Sequence, residues 1–454
     1  MKALDNASAG WWTWPAYFLF FLMLAFPMMH TVFYVKVFLF ALLLTFVVTQ
    51  ALTRLHLHPK VVMCTLALAA VSLFFGLRGL LLGAPGARTC IQVYAMWPLV
   101  YLVLLSGINT VRIFRGLQQT LVFSAAFIAL FLGFYFLSQL NIVPQIPYIE
   151  SIFSTEELDS SLFLSSGFFD GHVELSFPGL SSYPFLVPFL IAAVVCRPSQ
   201  GGTRWTSRVW LSIALSLSLM SVLLSGRRAL QLVTMLAPFL TLALGIFLPK
   251  KERRLLTRSL GRVAIALVLL VVLSVPLLSS VYAITFEGLA DRFSAGFDFS
   301  ASNQSDNSTG RVEQYLALKS GWMEAPLVGR GLGASAHASI RSTSMPWSYE
   351  LSYLALLFQT GLLGFAAYTA GIAWIYWSGI KIIKCGGVGS QFMIPVLVGM
   401  SGLLIANGTN PYLARFDGIW VIFLPLAFIN YWLLIHDHAQ NPSSGRARQL
   451  TEQL

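Results

Sequence analysis

Four side chains stand out for the chemistry their types and spacing permit. Ser225-Gly226-Arg227-Arg228 puts two guanidinium groups at the turn of an apolar hairpin, and Gly310-Arg311-Val312-Glu313-Gln314-Tyr315 puts a third in a long polar stretch. Arginine stays charged beside lipid and grips phosphate or carboxylate through parallel N–H bonds. Tyr349-Glu350-Leu351-Ser352-Tyr353-Leu354 supplies a carboxylate that could take a proton from a hydroxyl. His337 and Arg341 are near in sequence and could touch phosphate or sugar. Trp322, Trp347, Tyr349 and Tyr353 could stack on sugar rings. Each residue also has a plainer reading. Arg227 and Arg228 suit helix ends whose charged heads reach the interface. Arg311 suits a solvated loop helix. Glu350, just after Ser348, suits the positive end of a helix dipole. Tyrosine and tryptophan are common where helices leave a bilayer. Against the plain reading, charge at a membrane hairpin is often functional.

The elements that must hold these residues are membrane helices. The 454 residues are 57% hydrophobic and 10% charged, where a soluble chain carries about 25% charged residues. One soluble core could not hide that much apolar surface, but a bilayer solvates it. Apolar runs long enough to span are Trp14–Met29, Thr31–Leu52, Val61–Leu82, Cys90–Ser106, Thr120–Leu140, Tyr183–Cys196, Val209–Leu224, Ala229–Leu248, Val263–Ile284, Leu351–Trp377, Phe392–Ala406 and Ile419–Ile435. The reading is an all-α polytopic membrane protein of about twelve transmembrane helices. Residues 1–440 form one membrane domain, and 441–454 is read as a disordered cytoplasmic tail. The N-terminal stretch lacks a basic region leading into a short apolar run, so the first run is expected to stay as a span.

Lysine and arginine in the connections give the orientation. With the N-terminus inside, Arg54, Lys60, Arg112, Arg115, Arg197, Arg204, Arg208, the cluster from Lys250 to Arg262, Lys381 and Lys384 are all cytoplasmic. The short external gaps hold only Arg88, Arg227, Arg228 and Arg415. Topology thus accounts for most of the net charge of +11 and leaves no case for nucleic acid. Both long loops, 141–182 and 286–347, fall on the external face and are expected to form a helical or irregular cap. Within the spans only Lys36 and Arg78 carry charge, which favours a site at the outer surface. The cysteines have no metal spacing and read as small apolar residues. His56, His58, His436 and His438 fall on the cytoplasmic side and read as solvated or interfacial. Gly329, Gly331 and Gly333 follow no strand, so a tight turn is expected there and not a dinucleotide site.

The order of these motifs resembles the O-antigen polymerase and O-antigen ligase superfamily. That pattern has an arginine-bearing turn between two helices, then an arginine-bearing helix. Next come a glycine-rich segment, here Pro326-Leu327-Val328-Gly329-Arg330-Gly331-Leu332-Gly333, and a polar residue opening a helix that ends in Gly361-Leu362-Leu363-Gly364. The resemblance covers roughly residues 225–365 and the count of spans. It implies a glycosyltransferase at the periplasmic face of the bacterial inner membrane, multi-pass, with both termini cytoplasmic. Donor and acceptor would be glycans linked to undecaprenyl diphosphate. The reaction would need no metal and no cofactor. Arg227, Arg228 and Arg311 would bind diphosphate, Glu350 would act as the base, and His337, Arg341 and Tyr353 would contact substrate. A chain-length-regulating membrane protein is an expected partner. Ligases carry histidine eleven positions before the first glycine of the terminal motif, where this chain has Glu350. That departure favours a polymerase of O-antigen or exopolysaccharide over a ligase acting on lipid A-core of lipopolysaccharide. A transporter or flippase without bond chemistry is the rival of a different class.

Overall fold

In lipid, backbone N–H and C=O groups have no water to bond, so apolar runs close their hydrogen bonds internally as helices. The computed structural model describes residues 12–27, 29–51, 56–139, 142–144, 166–169, 172–175, 177–196, 208–261, 306–336 and 345–440. The chain begins with α1 (Thr13–Ala25), α2 (His30–Ala51), α3 (Pro59–Leu81) and α4 (Ala87–Ile91). A π turn, Gln92–Met96, joins α4 to α5 (Trp97–Leu105), and α6 (Val111–Gln139) follows. The wide turn has a local cause. In a regular helix the ring of Pro98 would strike the carbonyl four residues back, at Tyr94. Antiparallel strands β1 (Ser166–Phe169) and β2 (His172–Leu175) form a small hairpin in the first long loop. A 3-10 turn, Pro178–Ser182, opens α7 (Tyr183–Cys196), followed by α8 (Arg208–Leu224) and α9 (Arg228–Gly245). Helical turns cover 250–261. Then come α10 (Asp306–Glu324), α11 (Ser352–Cys385), α12 (Gly387–Asn407) and α13 (Trp420–Gln440).

Among the described residues, eight helical segments are long and apolar enough to cross a membrane, and three shorter apolar helices, α1, α8 and most of α13, accompany them. Every expected span lies on one of these except Val263–Ile284, which falls outside the described residues, as does the tail 441–454. The ends differ from expectation in both directions: α1 stops at Ala25 and α9 at Gly245, short of the expected Met29 and Leu248, whereas α6 and α11 run further. α6 starts at Val111, so Arg112 and Arg115 stand on its first turn and not in a connection, and α11 runs on past Lys381 and Lys384. Hydropathy sees the lipid-facing part of a helix, whereas backbone bonding continues into the polar zone.

The centre of the bundle is α7, whose residues from Tyr183 to Ala192 are all buried. It packs against α12 through glycine. A Cβ on Gly399 would sit 3.0 Å from the Phe185 ring, and one on Gly402 would sit 2.3 Å from the Pro184 carbonyl. Small residues allow such approach, and close packing is what drives helix association where lipid removes the hydrophobic incentive.

The two ends of the bundle differ in charge. One end carries Lys60, Arg112, Arg115, Lys250, Lys251, Arg253, Arg254, Arg258, Lys381 and Lys384. There the Glu252 carboxylate accepts from Gly387 N (3.0 Å) and Ser390 Oγ (3.2 Å), tying 250–261 to α12. His58, read as solvated or interfacial, stands at this end. It is buried, its Nδ1 accepts from Lys60 N at 3.2 Å as the cap of α3, and its own N–H donates to Asn430 at 2.8 Å. The other end gathers the residues singled out for chemistry.

Candidate functional site

The second long loop is built around α10. Arg311, Gln314 and Leu318 recur at spacings of three and four, so they share one face of that helix. Leu318 anchors the face in a small core with Tyr349, Ala355 and Phe358. Gly321 lets the helix close on Phe358, since a Cβ there would lie 2.5 Å from the ring. One turn beyond, the buried Gln314 accepts the Glu350 N–H through its side-chain oxygen at 3.2 Å. One turn further, Arg311 Nε donates to Glu350 Oε2 at 2.6 Å. Two of the residues singled out for chemistry are thus brought into direct contact across 39 positions of sequence. Glu350 precedes the start of α11 at Ser352, so its carboxylate serves Arg311 and does not sit in the first turn. The pair is partly open, with Arg311 47% and Glu350 25% exposed. The contact uses only Nε, leaving the Nη donors of a five-donor group for other partners.

Tyr349, a candidate for sugar stacking, is buried and cannot serve that role. Its hydroxyl accepts from Ala336 N at 2.6 Å and donates to Ala336 O at 3.2 Å, fastening the segment before α11. Burial pushes this phenol above its ordinary value, and the bond to Ala336 opposes the shift. Trp322 is half-buried and donates its indole N–H to Pro326 O at 3.2 Å. Trp347 is half-buried against Gly86. Tyr353 stands on the first turn of α11 and donates its hydroxyl to Leu404 O of α12. His337 and Arg341 lie outside the described residues.

The glycine-rich run is a strap threaded between α3 and α11, not a simple turn. α11 is interrupted at Gly361, where φ is +62° and ψ −170°. In an unbroken helix Leu362 N would bond Phe358 O, and Leu363 N would bond Gln359 O. The strap takes over all four groups. Leu362 N donates to Pro326 O (2.9 Å) and Leu363 N to Leu327 O (3.1 Å), while Phe358 O accepts from Arg330 N (3.0 Å) and Gln359 O from Gly331 N (2.8 Å). On its other side the strap meets α3. Leu332 N donates to Phe75 O at 3.0 Å, and Arg78 Nε donates to Gly329 O at 3.2 Å. Gly331, at φ +91°, passes so near Gly79 that a Cβ would lie 2.5 Å from its Cα. Gln359 adds side-chain bonds to Ala334 O and Trp347 O. Arg330 also pairs with Glu324.

Arg227 and Arg228 stand on a separate hairpin. Gly226 turns the chain at φ +59°, Arg227 is the N-cap of α9 with extended backbone, and Arg228 opens the helix. Buried Ser225 accepts the Arg227 N–H at 3.3 Å. The last turns of α12 connect the hairpin to the loop site. Gly402 abuts Pro184 of α7 and Val233 of α9, and two residues later Leu404 O receives Tyr353.

Lys36 and Arg78, the charges that fall inside the apolar runs, both have partners. Arg78 holds the strap, and Lys36 of α2 is buried against Asp417 at 3.2 Å, with a second bond to Phe26 O at 2.6 Å. Asp417 belongs to the segment between α12 and α13, which dips into the bundle. There Phe416 stacks on Trp97 at 4.8 Å, and its carbonyl accepts from the Tyr101 hydroxyl at 3.0 Å. Sequence reasoning missed Gln314, Gln359 and Asp417. The spacing of three between Arg311 and Gln314 was the available signal for the first. For Asp417 it was the rule that a lysine inside a span needs an acid.

No protein-family model matches the chain, and no curated protein is similar to it at a significant level.

Proposed function

We propose that this chain is a membrane glycosyltransferase that lengthens undecaprenyl-diphosphate-linked glycans on the periplasmic face of a bacterial inner membrane. The observation that carries this reading is the Arg311–Glu350 pair, partly exposed at the mouth of α11. The charge difference between the ends of the bundle supports placing that mouth outside, with both termini cytoplasmic and about twelve spans in all. The two long loops would then cap the site, and lipid-linked substrates would enter sideways between helices.

In this mechanism Glu350 takes the proton of the acceptor hydroxyl. The oxygen attacks the anomeric carbon of the donor, the bond from that carbon to the diphosphate oxygen breaks, and the electron pair leaves with undecaprenyl diphosphate. A direct displacement sets base and leaving group on opposite sides of the reacting carbon. Arg311, bonded to the base, steadies Glu350 and offers its Nη donors to the acceptor side. Arg227 and Arg228 neutralise the departing diphosphate. His337 and Arg341 remain candidate contacts, and Tyr353 fixes the start of α11.

Glu350→Gln tests the reading, because it keeps the shape and removes proton acceptance. The expected loss is about 10²–10⁴ in rate. Cells carrying it should keep single repeat units on the final acceptor. Long chains stranded on the lipid carrier would instead identify a ligase, and an active Gln variant would reject Glu350 as base. A transporter is the reading favoured by the buried Lys36–Asp417 pair and the interrupted α11, both features of substrate paths through membranes. Purified protein given lipid-linked repeat units decides the matter: an enzyme lengthens them, and a transporter leaves their length unchanged.

A further inference from the structure

At the basic end of the bundle, cations from two separate elements meet on one rim. Lys384, on the last turn of α11, sets its ammonium group 5.8 Å from the centre of the Phe247 ring, just past the end of α9. The turn that follows, at Gly386, rests on the start of 250–261, since a Cβ there would lie 3.0 Å from Pro249 Cγ. Lys250 and Lys251 come directly after Pro249. Leu256 is buried against Gly245, and helical spacing sets Lys250, Lys251 and Arg254 on the opposite face. Glu252 is the one carboxylate in 250–261, and its oxygens serve Gly387 N and Ser390 Oγ. Among the described residues, Lys250, Lys251 and Lys384 form no ion pair, and all three are exposed. Cations in the first turn of a helix oppose its dipole, so helix formation does not account for Lys250 and Lys251 there.

An apolar path leads to these cations. Met235, Phe239, Leu242 and Ile246 are exposed and recur at spacings of four, three and four, so they line one face of α9 and its end. The stripe is about 16 Å long, roughly one leaflet of hydrocarbon. We infer that this rim holds an anionic phospholipid, with its phosphate between Lys384 and the Lys250–Lys251 pair and an acyl chain along the α9 stripe. Ammonium groups on flexible stems suit a phosphate as point charges, and a lipid supplies both the anion and the chain. A topology signal needs only a count of cations near a span. Here cations of α11 and of 250–261 share one rim, and the neighbouring acid is drawn away from it. The lipid would fasten the end of α9 to the turn between α11 and α12. This site is independent of any glycosyl transfer.

The test uses the whole chain in phosphatidylcholine nanodiscs doped with phosphatidylglycerol, with retained lipid counted by native mass spectrometry. The protein is then already inserted, so topology plays no part in the readout. Wild type should retain phosphatidylglycerol in preference to phosphatidylcholine. Lys384→Gln and Lys250→Gln should each lower that preference about fivefold, the worth of one basic residue at an anionic surface. Lys319→Gln, a change on α10 at the other end of the bundle, should leave it intact. No preference in wild type, an equal loss in Lys319→Gln, full preference in both of the first two variants, or release of the lipid by soluble glycerol phosphate would overturn the inference.

Discussion

Two ion pairs in this molecule look alike on paper and differ in what they can do. Lys36 and Asp417 are 1% and 3% exposed, whereas Arg311 and Glu350 are 47% and 25% exposed. Taking charge out of water costs several kcal/mol per ion, so the buried pair survives only while both members are present. Lys36 has the Phe26 carbonyl as well, which satisfies a second of its protons. The pair at the loop is solvated, contributes about 0.2–1 kcal/mol to stability, and keeps donors that a substrate can take. One pair therefore fastens the fold, and the other stands where chemistry is possible.

The sharpest way to break this comparison is to remove one buried partner. Asp417→Ala should cost about 3–5 kcal/mol by stranding the Lys36 ammonium. The measurement is thermal unfolding in detergent, and the paired change of Lys36→Met with Asp417→Leu should recover most of the loss. An unchanged melting point for Asp417→Ala would end the assignment of that pair to the fold. Next in size is Gly331→Ala, which combines a left-handed backbone with a backbone contact at 2.5 Å. It should destabilise by more than about 1 kcal/mol, seen as protease sensitivity between α10 and α11. A variant as resistant as wild type would contradict the close approach to Gly79. Gln314→Ala should cost about 1 kcal/mol by removing the acceptor of the Glu350 N–H, and should slow transfer by letting the carboxylate drift. Smallest in stability is Arg311→Ala, below about 1 kcal/mol, yet it should abolish transfer activity. Arg311→Lys should rescue poorly, because a point charge lacks the planar fork. A large stability loss with retained activity would reverse the roles given to the two pairs.

The helices were legible because apolar length is a strong signal and lipid allows few other structures. Their ends were less legible. Arg112 and Lys381 look like loop residues in a hydropathy reading, yet backbone bonding takes them into α6 and α11. Arg311 and Glu350 could be named separately from residue type and motif order, but their contact could not. It depends on α10 lying against the start of α11, which Leu318, Gly321 and Phe358 determine. The strap was illegible for a similar reason. Three glycines signal unusual backbone, and only the tertiary structure shows that Gly331 N–H bonds the Gln359 carbonyl of α11 while Gly329 O accepts from Arg78 of α3. The role of His58 was illegible as well, because its ring caps α3 and its backbone N–H meets Asn430, far off in sequence.

The interruption at Gly361 also bears on the order of assembly. Phe358 O, Gln359 O, Leu362 N and Leu363 N all depend on residues 326–331 for their bonds. Until the strap arrives, α11 must either close as a continuous helix or leave four backbone groups open beside lipid. Residues 326–331 leave the ribosome before α11 does, so they must wait at the surface while a later span is inserted. Docking of the strap is then a late step in maturation. It satisfies those four groups and locks α3, α10 and α11 together in the same event.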